Sequence, residues 1–571
     1  MVQGPPLLRT RPAFTSKTLF ILALISVVAA LTVGPAVMLL LGSFSQRLGR
    51  IGPFTFAKYV AVYTDPALPK IIANTCIFVL SSSALATIVG TTLAFLNVRT
   101  DIPGKGIFQV LPLVPMMFPH VLFAAAWIML LNPSNGLLNV WLRAVFPVSS
   151  GPLNIYSLAG MIFLEGLLDV PVTFMVVAPA MFAFDPALEE AARVSGARLG
   201  QVLRRVTLPL LRPAILAAFM LAVIRGLAAF AVPQMVGIPG RVQILTTYIY
   251  RIVSIGWSPD YGKAAAVGVF VLALALILVY LYRALTAESE RFVTVTGKGY
   301  RPQVIRLGRA RWPLFFGVLL FFFVLVLLPL GVLVYMSFLP YVVSPGPKAW
   351  ELFSVGNWVY VFNDPIASRA LKNTVILAVA GATAAVLLSL FVAYAVTRIR
   401  TGLTALLDSL TFMSYAFPGL IIGIGFMWFL VRTPLYGTVW ALLLAYVGTY
   451  LPYGVRPLGS AFFQIHKDLE DSGRVCGATF LGTFRKIVVP LVTPGAFSAW
   501  ALLAAMFVRE LSVAAVLARP GSEVLSVQVL KYAYDGLWGR VSALGIVMIF
   551  LSSTLVAGAS ILRRRLSRGL Y

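Results

Sequence analysis

The side chains that could do chemistry in this sequence stand where charge is expensive, inside long apolar runs. Glu165 and Asp169 are four residues apart, so a helix would present both on one face just before Pro171. Arg225, Arg456 and the pair Arg509-Glu510 are set in similarly apolar surroundings. Ionisable groups at such depth face the interior of a bundle or a watery cavity, which marks them as candidates for a translocation pathway. Two readings fit them: a polar lining for a cation or chelate, or internal pairing, for example Asp169 with Arg225. Two carboxylates are half of a metal site, and no third ligand accompanies them. Cys76, Cys476, His120 and His466 are each isolated, so neither a disulfide framework nor a metal cluster is expected. No nucleophile and base are grouped as a membrane enzyme would need. The chain is expected to bind no metal or cofactor of its own.

The elements that position these residues are set by composition. Of 571 residues 60% are hydrophobic and 11% charged, with a mean hydropathy of +0.93. Soluble domains carry about 25% charged residues. Apolar runs of 20 or more residues recur, and about 20 residues of helix cross a hydrocarbon core. The runs are continuous rather than alternating, which predicts helices over a barrel. A net charge of +26 could serve nucleic acid, but the Lys and Arg sit in short loops between runs. There they mark one side of a membrane, and nucleic acid is not an expected partner.

Twelve spans are expected, at 18–41, 71–96, 108–131, 157–183, 214–237 and 264–284, then 313–338, 373–396, 407–431, 437–463, 496–518 and 542–562. The first is read as a retained anchor, since no small-residue cleavage site follows a short apolar core. With an even number of spans both termini share one side. The loops on that side hold the excess of Lys and Arg, which predicts cytoplasmic termini in a multi-pass membrane protein.

The spans form two repeats. Pro209 and Pro490, Gly196 and Gly477, and Leu188 and Leu469 all differ by 281 positions. Earlier in each half Asn74 and Asn373, and Phe118-Pro119 and Phe417-Pro418, differ by 299. Six spans per repeat insert both in the same orientation, so a pseudo-twofold axis along the membrane normal is expected, with a pathway between the halves. The expected division is a first repeat at 1–284, a polar basic linker at 285–312 and a second repeat at 313–571. The class is an all-α polytopic membrane protein of two parallel six-helix repeats.

Between the fourth and fifth spans of each repeat lies a polar loop, at 185–213 and 466–494. In the first, Asp185-Pro186 resembles a helix start, and Glu189 and Glu190 occupy the first turns, where carboxylates favour the positive helix end. Gly196 interrupts the helix; a second short one is expected from Leu199 to about Val206, stopped by Leu208-Pro209. Lipid anchoring would need charge, but not a repeated Glu–Gly–Pro spacing. That spacing suggests a shape read by another protein.

The pattern E-A-A, three residues, G, then about a dozen residues to L-P resembles the cytoplasmic loop of ABC importer permeases. Glu190, Ala191, Ala192, Gly196 and Pro209 match it. In the second loop Gly477 and Pro490 match, while Asp471-Ser472-Gly473 stands where the triplet is expected; Glu470 and Asp471 are its acids, beside Glu189 in the first. The resemblance implies the type I ABC importer permease fold, the plasma (inner) membrane of a prokaryote, and coupling helices that dock on two copies of an ATPase subunit. Equal docking of the two loops is not implied. ATP and Mg would be used by that subunit, because no G-x-x-x-x-G-K-[ST] occurs here: the Gly-Lys pairs at 104–105 and 297–298 have Arg99 and Phe292 where the first glycine belongs. The chain would be no enzyme itself, and a periplasmic or extracellular binding protein would deliver substrate. Stretches such as "AVPQMVGIPGRVQILTTYIY", "FPGLIIGIGFMWFL" and "RELSVAAVLARPGSEVLSVQV" most resemble the fused ferric iron permeases. Related permeases for thiamine, 2-aminoethylphosphonate, polyamines, sulfate or molybdate share much of the pattern. An ion-coupled secondary transporter would instead expect its acids in both repeats, whereas Tyr446 and Tyr450 stand opposite Glu165 and Asp169 at the 281 offset.

Gly419, Gly423 and Gly425 have spacing that allows close helix approach. Pro112, Pro115, Pro119 and Pro418 are expected to bend helices. Trp141, Trp312 and Trp358 read as anchors at the membrane interface.

Overall fold

The computed structural model describes residues 16–50, 52–111, 115, 118–146, 151–182, 187–254, 259–289, 304–399 and 401–568. Asp185-Pro186 and Pro112 fall outside them. The described residues form an all-α polytopic membrane protein, with no strand beyond two isolated bridges. In the first repeat the uninterrupted spans are Ser16–Ser43, Leu68–Arg99, Leu158–Phe182, Leu208–Ala228 and Tyr261–Ser289. Their counterparts are 311–337, Pro365–Arg398, Val439–Gln464, Val489–Arg509 and Trp538–Arg568. The first two of these carry a π-turn, at Phe323–Leu327 and Leu377–Gly381.

The third apolar run of each repeat is broken rather than bent. In the first it divides into Lys105–Val110 and His120–Leu131, in the second into Gly402–Met413 and Gly419–Leu430. Pro119 and Pro418 hold extended backbone immediately before the second piece. A proline there suits a helix start, since its fixed φ costs nothing and its missing N–H would have lacked an intrahelical partner. The fifth runs also divide. Their long helices end at Ala228 and Arg509; a short helical segment, Pro233–Gly237 or Ser512–Leu517, intervenes before the next helix, Leu245–Ser254 or Leu525–Tyr534. Gly226 stands three residues before the first break and Pro233 four after it, whereas neither residue type lies near the second. Side chains satisfy the backbone that the breaks free: the Thr246 hydroxyl donates to the Ala229 carbonyl at 2.7 Å, and Ser526 does the same for Glu510.

The opening span of each repeat crosses to the other. Ser16–Ser43 packs on Gly419–Leu430 and on its own sixth span, and Leu328–Ser337 packs on His120–Leu131 and on Trp538–Arg568. The glycines at 419, 423 and 425 divide their work. A Cβ at Gly425 would lie 2.5 Å from the Pro35 carbonyl oxygen, so the crossing helix rests directly on it. Gly419 and Gly423 instead face Ser512 and Val513.

Second and fourth spans also meet closely, and here the repeats solve one problem in opposite ways. A Cβ at Gly90 would lie 1.9 Å from Thr173 Oγ1, whose hydroxyl donates to the Ala86 carbonyl at 2.8 Å. In the second repeat the glycine is on the fourth span: a Cβ at Gly454 would lie 2.3 Å from Ser389 Oγ. Ser389 and Gly454 follow Gly90 and Thr173 by the 299 and 281 offsets. The bulky and bare positions have been exchanged across the crossing.

Candidate functional site

Each loop between fourth and fifth spans folds as a short amphipathic helix, Ala187–Val194 in the first repeat and Asp468–Val475 in the second. Gly196 and Gly477 follow with φ of +84° and +83°, in the left-handed region where a side chain is strained. The Ala197 and Ala478 amides donate back to the Ala192 and Gly473 carbonyls, both at 3.0 Å. These are the bonds of a glycine-terminated helix, so the interruption expected at Gly196 is a true C-cap. Pro209 and Pro490 do not stop the helices that follow. Leu199–Val202 and Phe480–Thr483 run through π-turns, Leu203–Thr207 and Phe484–Val488, directly into the fifth spans. Each proline sits in the first turn, where its missing N–H is tolerated.

The acids of these helices have different roles. Glu190 is exposed and Asp471 half-buried, whereas Glu189 and Glu470 are only 4% and 3% exposed. Glu189 is ion-paired with Arg99, itself 1% exposed at the end of the second span, and accepts from the Thr207 hydroxyl at 2.6 Å. Glu470 is ion-paired with Arg398 at 2.8 Å and accepts from the Tyr394 hydroxyl at 3.3 Å. The Arg398 guanidinium also donates to the Ile465 carbonyl at 2.8 Å. Two charges withdrawn from water are held only by such mutual bonding. Sequence reasoning missed both arginines, although they stand at the same 299 offset as Asn74 and Asn373.

Gly473, which departs from the expected triplet, has a packing reason. A Cβ there would lie 2.7 Å from Ile487 Cδ1 and 3.3 Å from Thr483 Oγ1. At the 281 offset the first repeat has Ala192 and Val206: one methyl more on the helix, one carbon less opposite. Gly473→Ala gains about 1 kcal/mol of helix propensity but overpacks against Ile487 at a cost of about 1–3 kcal/mol. The single variant is therefore expected to melt below the parent, and Gly473→Ala with Ile487→Val at or above it. Thermal melts in detergent decide this; a single variant that melts higher unaided removes the packing explanation.

The intramembrane charges come together in two ties between fourth and fifth spans. The Arg225 Nε donates to Asp169 Oδ1 at 2.7 Å, with Glu165 buried one turn away. In the second repeat the Tyr450 hydroxyl donates to Glu510, whose other oxygen accepts the Val513 amide at 2.8 Å. Tyr450 holds the place of Asp169, so the carboxylate has moved to the other member of the tie. Arg509 stands close enough to both ties to interact electrostatically with Arg225, Tyr450 and Glu510, and with Arg563 it lines a cleft of about 300 Å³ between Val489–Arg509 and Trp538–Arg568. Arg456 is separate, 3.3 Å from Asp408 and facing the Phe412 ring, on which Arg283 also stacks.

Comparisons with known proteins follow the repeats. The family model described as binding-protein-dependent transport system inner membrane component matches residues 82–289 and again 385–569. The ferric transport system permease protein FbpB of Actinobacillus pleuropneumoniae is 27% identical over 516 residues, covering 88% of this chain and 72% of its own. A spermidine/putrescine transport system permease protein, PotC of Haemophilus influenzae, is 25% identical over 38% of this chain and 84% of its own. Among solved structures, a bacterial ABC transporter involved in the import of alginate aligns at 20% identity and a TM-score of 0.37, covering 48% of this chain and 96% of that one. Two matched copies, spanning more than half of a twelve-run helical chain, make it a member of the binding-protein-dependent transport system inner membrane component family, the permeases of ABC importers.

Proposed function

We propose that this chain carries both permease halves of an ATP-driven importer for ferric iron. Substrate is delivered by a binding protein outside the cell, and two ATPase subunits dock on the cytoplasmic face. The observation that carries the coupling role is the duplicated loop helix, each copy fixed to its second span by a buried Glu–Arg pair and each ending at a left-handed glycine. ATP and Mg belong to the ATPase subunits. Closure of their dimer would draw the two loop helices together, opening the halves toward the binding protein, and hydrolysis would return them inward. Glu190 and Asp471, on the accessible side of those helices, are the acids presented to the partner. The termini and the inter-repeat linker share that face, in keeping with the excess of basic loops there. Glu165, Asp169, Arg225, Arg509 and Glu510 are the groups nearest the route of a charged cargo.

Iron rests on the ferric permeases to which most of the chain is similar, 23–27% identical over 80–88% of its length. The polyamine permease matches 38% of this chain and 84% of its own length, about one repeat. The test is reconstitution with the ATPase subunit and candidate binding proteins. A ferric-ion-binding protein should stimulate ATP hydrolysis and iron uptake, and a polyamine- or thiamine-binding protein should not; the reverse outcome reassigns the substrate. Glu190→Lys, which reverses the presented charge, and Gly196→Pro, which cannot adopt φ of +84°, are both expected to abolish uptake and weaken ATPase copurification while the chain still inserts. Normal copurification and uptake in both variants would sink the docking role.

A further inference from the structure

The second span of each repeat is bonded at both ends, and the two ends belong to different machinery. At one end Arg99 holds the loop helix through Glu189, and Arg398 does so through Glu470. At the other end stands the repeated Asn-Thr pair. Thr75 Oγ1 accepts the Leu245 amide and Thr374 Oγ1 the Leu525 amide, both at 3.0 Å. These amides open the helices Leu245–Ser254 and Leu525–Tyr534, where N–H groups have no intrahelical partner. Asn74 donates to the Gln243 carbonyl at 3.3 Å, and Asn373 to the Glu523 carbonyl at 2.9 Å. The next residues, Thr246 and Ser526, bond the carbonyls of Ala229 and Glu510, at the breaks that end the fifth spans. Four residues before the first break is Arg225 with its tie to Asp169, and at the second is Glu510 with its tie to Tyr450.

We propose that the second span is a connecting rod, which carries displacement of the loop helix to the broken end of the fifth span and its charged ties. Asn74-Thr75 and Asn373-Thr374 are its positioning residues at the far end. Thr75 and Arg99 are 24 residues apart, as are Thr374 and Arg398; at 1.5 Å per residue the first makes a rod of about 36 Å, and the second is of similar length with one hydrogen-bonded π-turn, Leu377–Gly381, within it. A helix is stiff along its axis because every turn is hydrogen-bonded. On its flank each rod is bonded to the fourth span, by Thr173 to the Ala86 carbonyl at 2.8 Å and by Ser389 to the Leu451 carbonyl at 3.4 Å, so that span, which carries Asp169 or Tyr450, is drawn along with it. The same arrangement occurs in both repeats, from different neighbouring residues.

This inference rests on the permease reading, and its test separates the two. The chain, with Cys76→Ser and Cys476→Ser and spin labels at exposed Ser254 and Lys531, is purified with its ATPase subunit in nanodiscs. Electron–electron distances are measured without nucleotide and after ATP with vanadate. The parent should trap vanadate and show a changed distance. Thr75→Val/Thr374→Val should still trap vanadate but lose the distance change, while Thr75→Ser/Thr374→Ser, which keeps the hydroxyl, retains it. Should the valine pair fail to accumulate, Asn74→Leu/Asn373→Leu is read in the same way. A distance change undiminished in the variant, a parent that traps vanadate without any change, or a serine pair that behaves like valine overturns the rod. A parent complex that traps no vanadate overturns the permease reading, and the rod with it.

Discussion

Glu189→Ala is expected to destabilise the protein by about 3–5 kcal/mol, the cost of leaving a buried charge without its partner. Arg99 has 1% of its side chain exposed and Glu189 5%, so little solvent could replace the lost carboxylate. The neighbouring Glu190 is exposed, and Glu190→Ala should fall within about 0.5 kcal/mol of the parent. Replacing both partners, as Arg99→Met/Glu189→Met, removes the stranded charge and should recover much of the loss. The corresponding Glu470→Ala should cost less, because Arg398 is 13% exposed and keeps its bond to the Ile465 carbonyl. Tryptophan-fluorescence melts of the four variants give the order. If Glu189→Ala and Glu190→Ala melt together, the buried pair does not hold the loop helix.

The second large effect is steric. Gly90→Ala places a methyl 1.9 Å from Thr173 Oγ1, 2.9 Å from its Cβ and 3.1 Å from the Phe174 backbone nitrogen. Overpacking ordinarily costs about 1–3 kcal/mol, but here a Thr173 rotamer can move only Oγ1 and leaves its Cβ at 2.9 Å and the Phe174 backbone nitrogen at 3.1 Å. Second and fourth spans would have to part, and folded protein is expected to fall steeply in the membrane fraction. The second repeat supplies the remedy, with serine on the second span and glycine on the fourth. Gly90→Ser/Thr173→Gly copies that arrangement and should restore accumulation, with the new hydroxyl facing a fourth-span carbonyl as Ser389 faces Leu451 at 3.4 Å. Accumulation and melting of Gly90→Ala at parental levels would show that the crossing is loose.

How far the residues announced this architecture depends on the range of the interactions concerned. The loop helices were legible because a glycine C-cap, a proline in a first turn and a run of acids are local signals, and a 281-residue echo repeated them. Hydropathy also separated apolar spans from basic loops. It could not show that the fifth runs break at Ala229 and Glu510, because a hydropathy window averages across each break and the bonds that hold it come from Thr246 and Ser526, 17 and 16 positions away. The expectation of single spans at 214–237 and 496–518 failed for that reason. Pro119 and Pro418 were visible, but whether a proline bends a helix or begins one depends on the backbone before it. The Arg99–Glu189 pair joins residues 90 positions apart. The 299 and 281 offsets together contained it, since they carry Arg99 to Arg398 and Glu189 to Glu470, but only contact shows that the two series meet. The exchange of small and large residues at Gly90 and Gly454 was hidden similarly: each glycine looks incidental until its neighbour is known.

The crossing of the opening spans has a consequence for biosynthesis. Gly425 follows Pro35 by 390 residues, and it belongs to the surface on which Ser16–Ser43 finally rests. At about 5–20 residues per second of elongation, that surface emerges roughly 20–80 s after the helix that needs it. Until then the first helix must wait in lipid beside a half-built bundle, with its docking face unclaimed. Release of the finished chain, rather than completion of either half, is therefore the moment at which both halves can close, and a ribosome stalled in the linker would leave a membrane intermediate with one helix still unplaced.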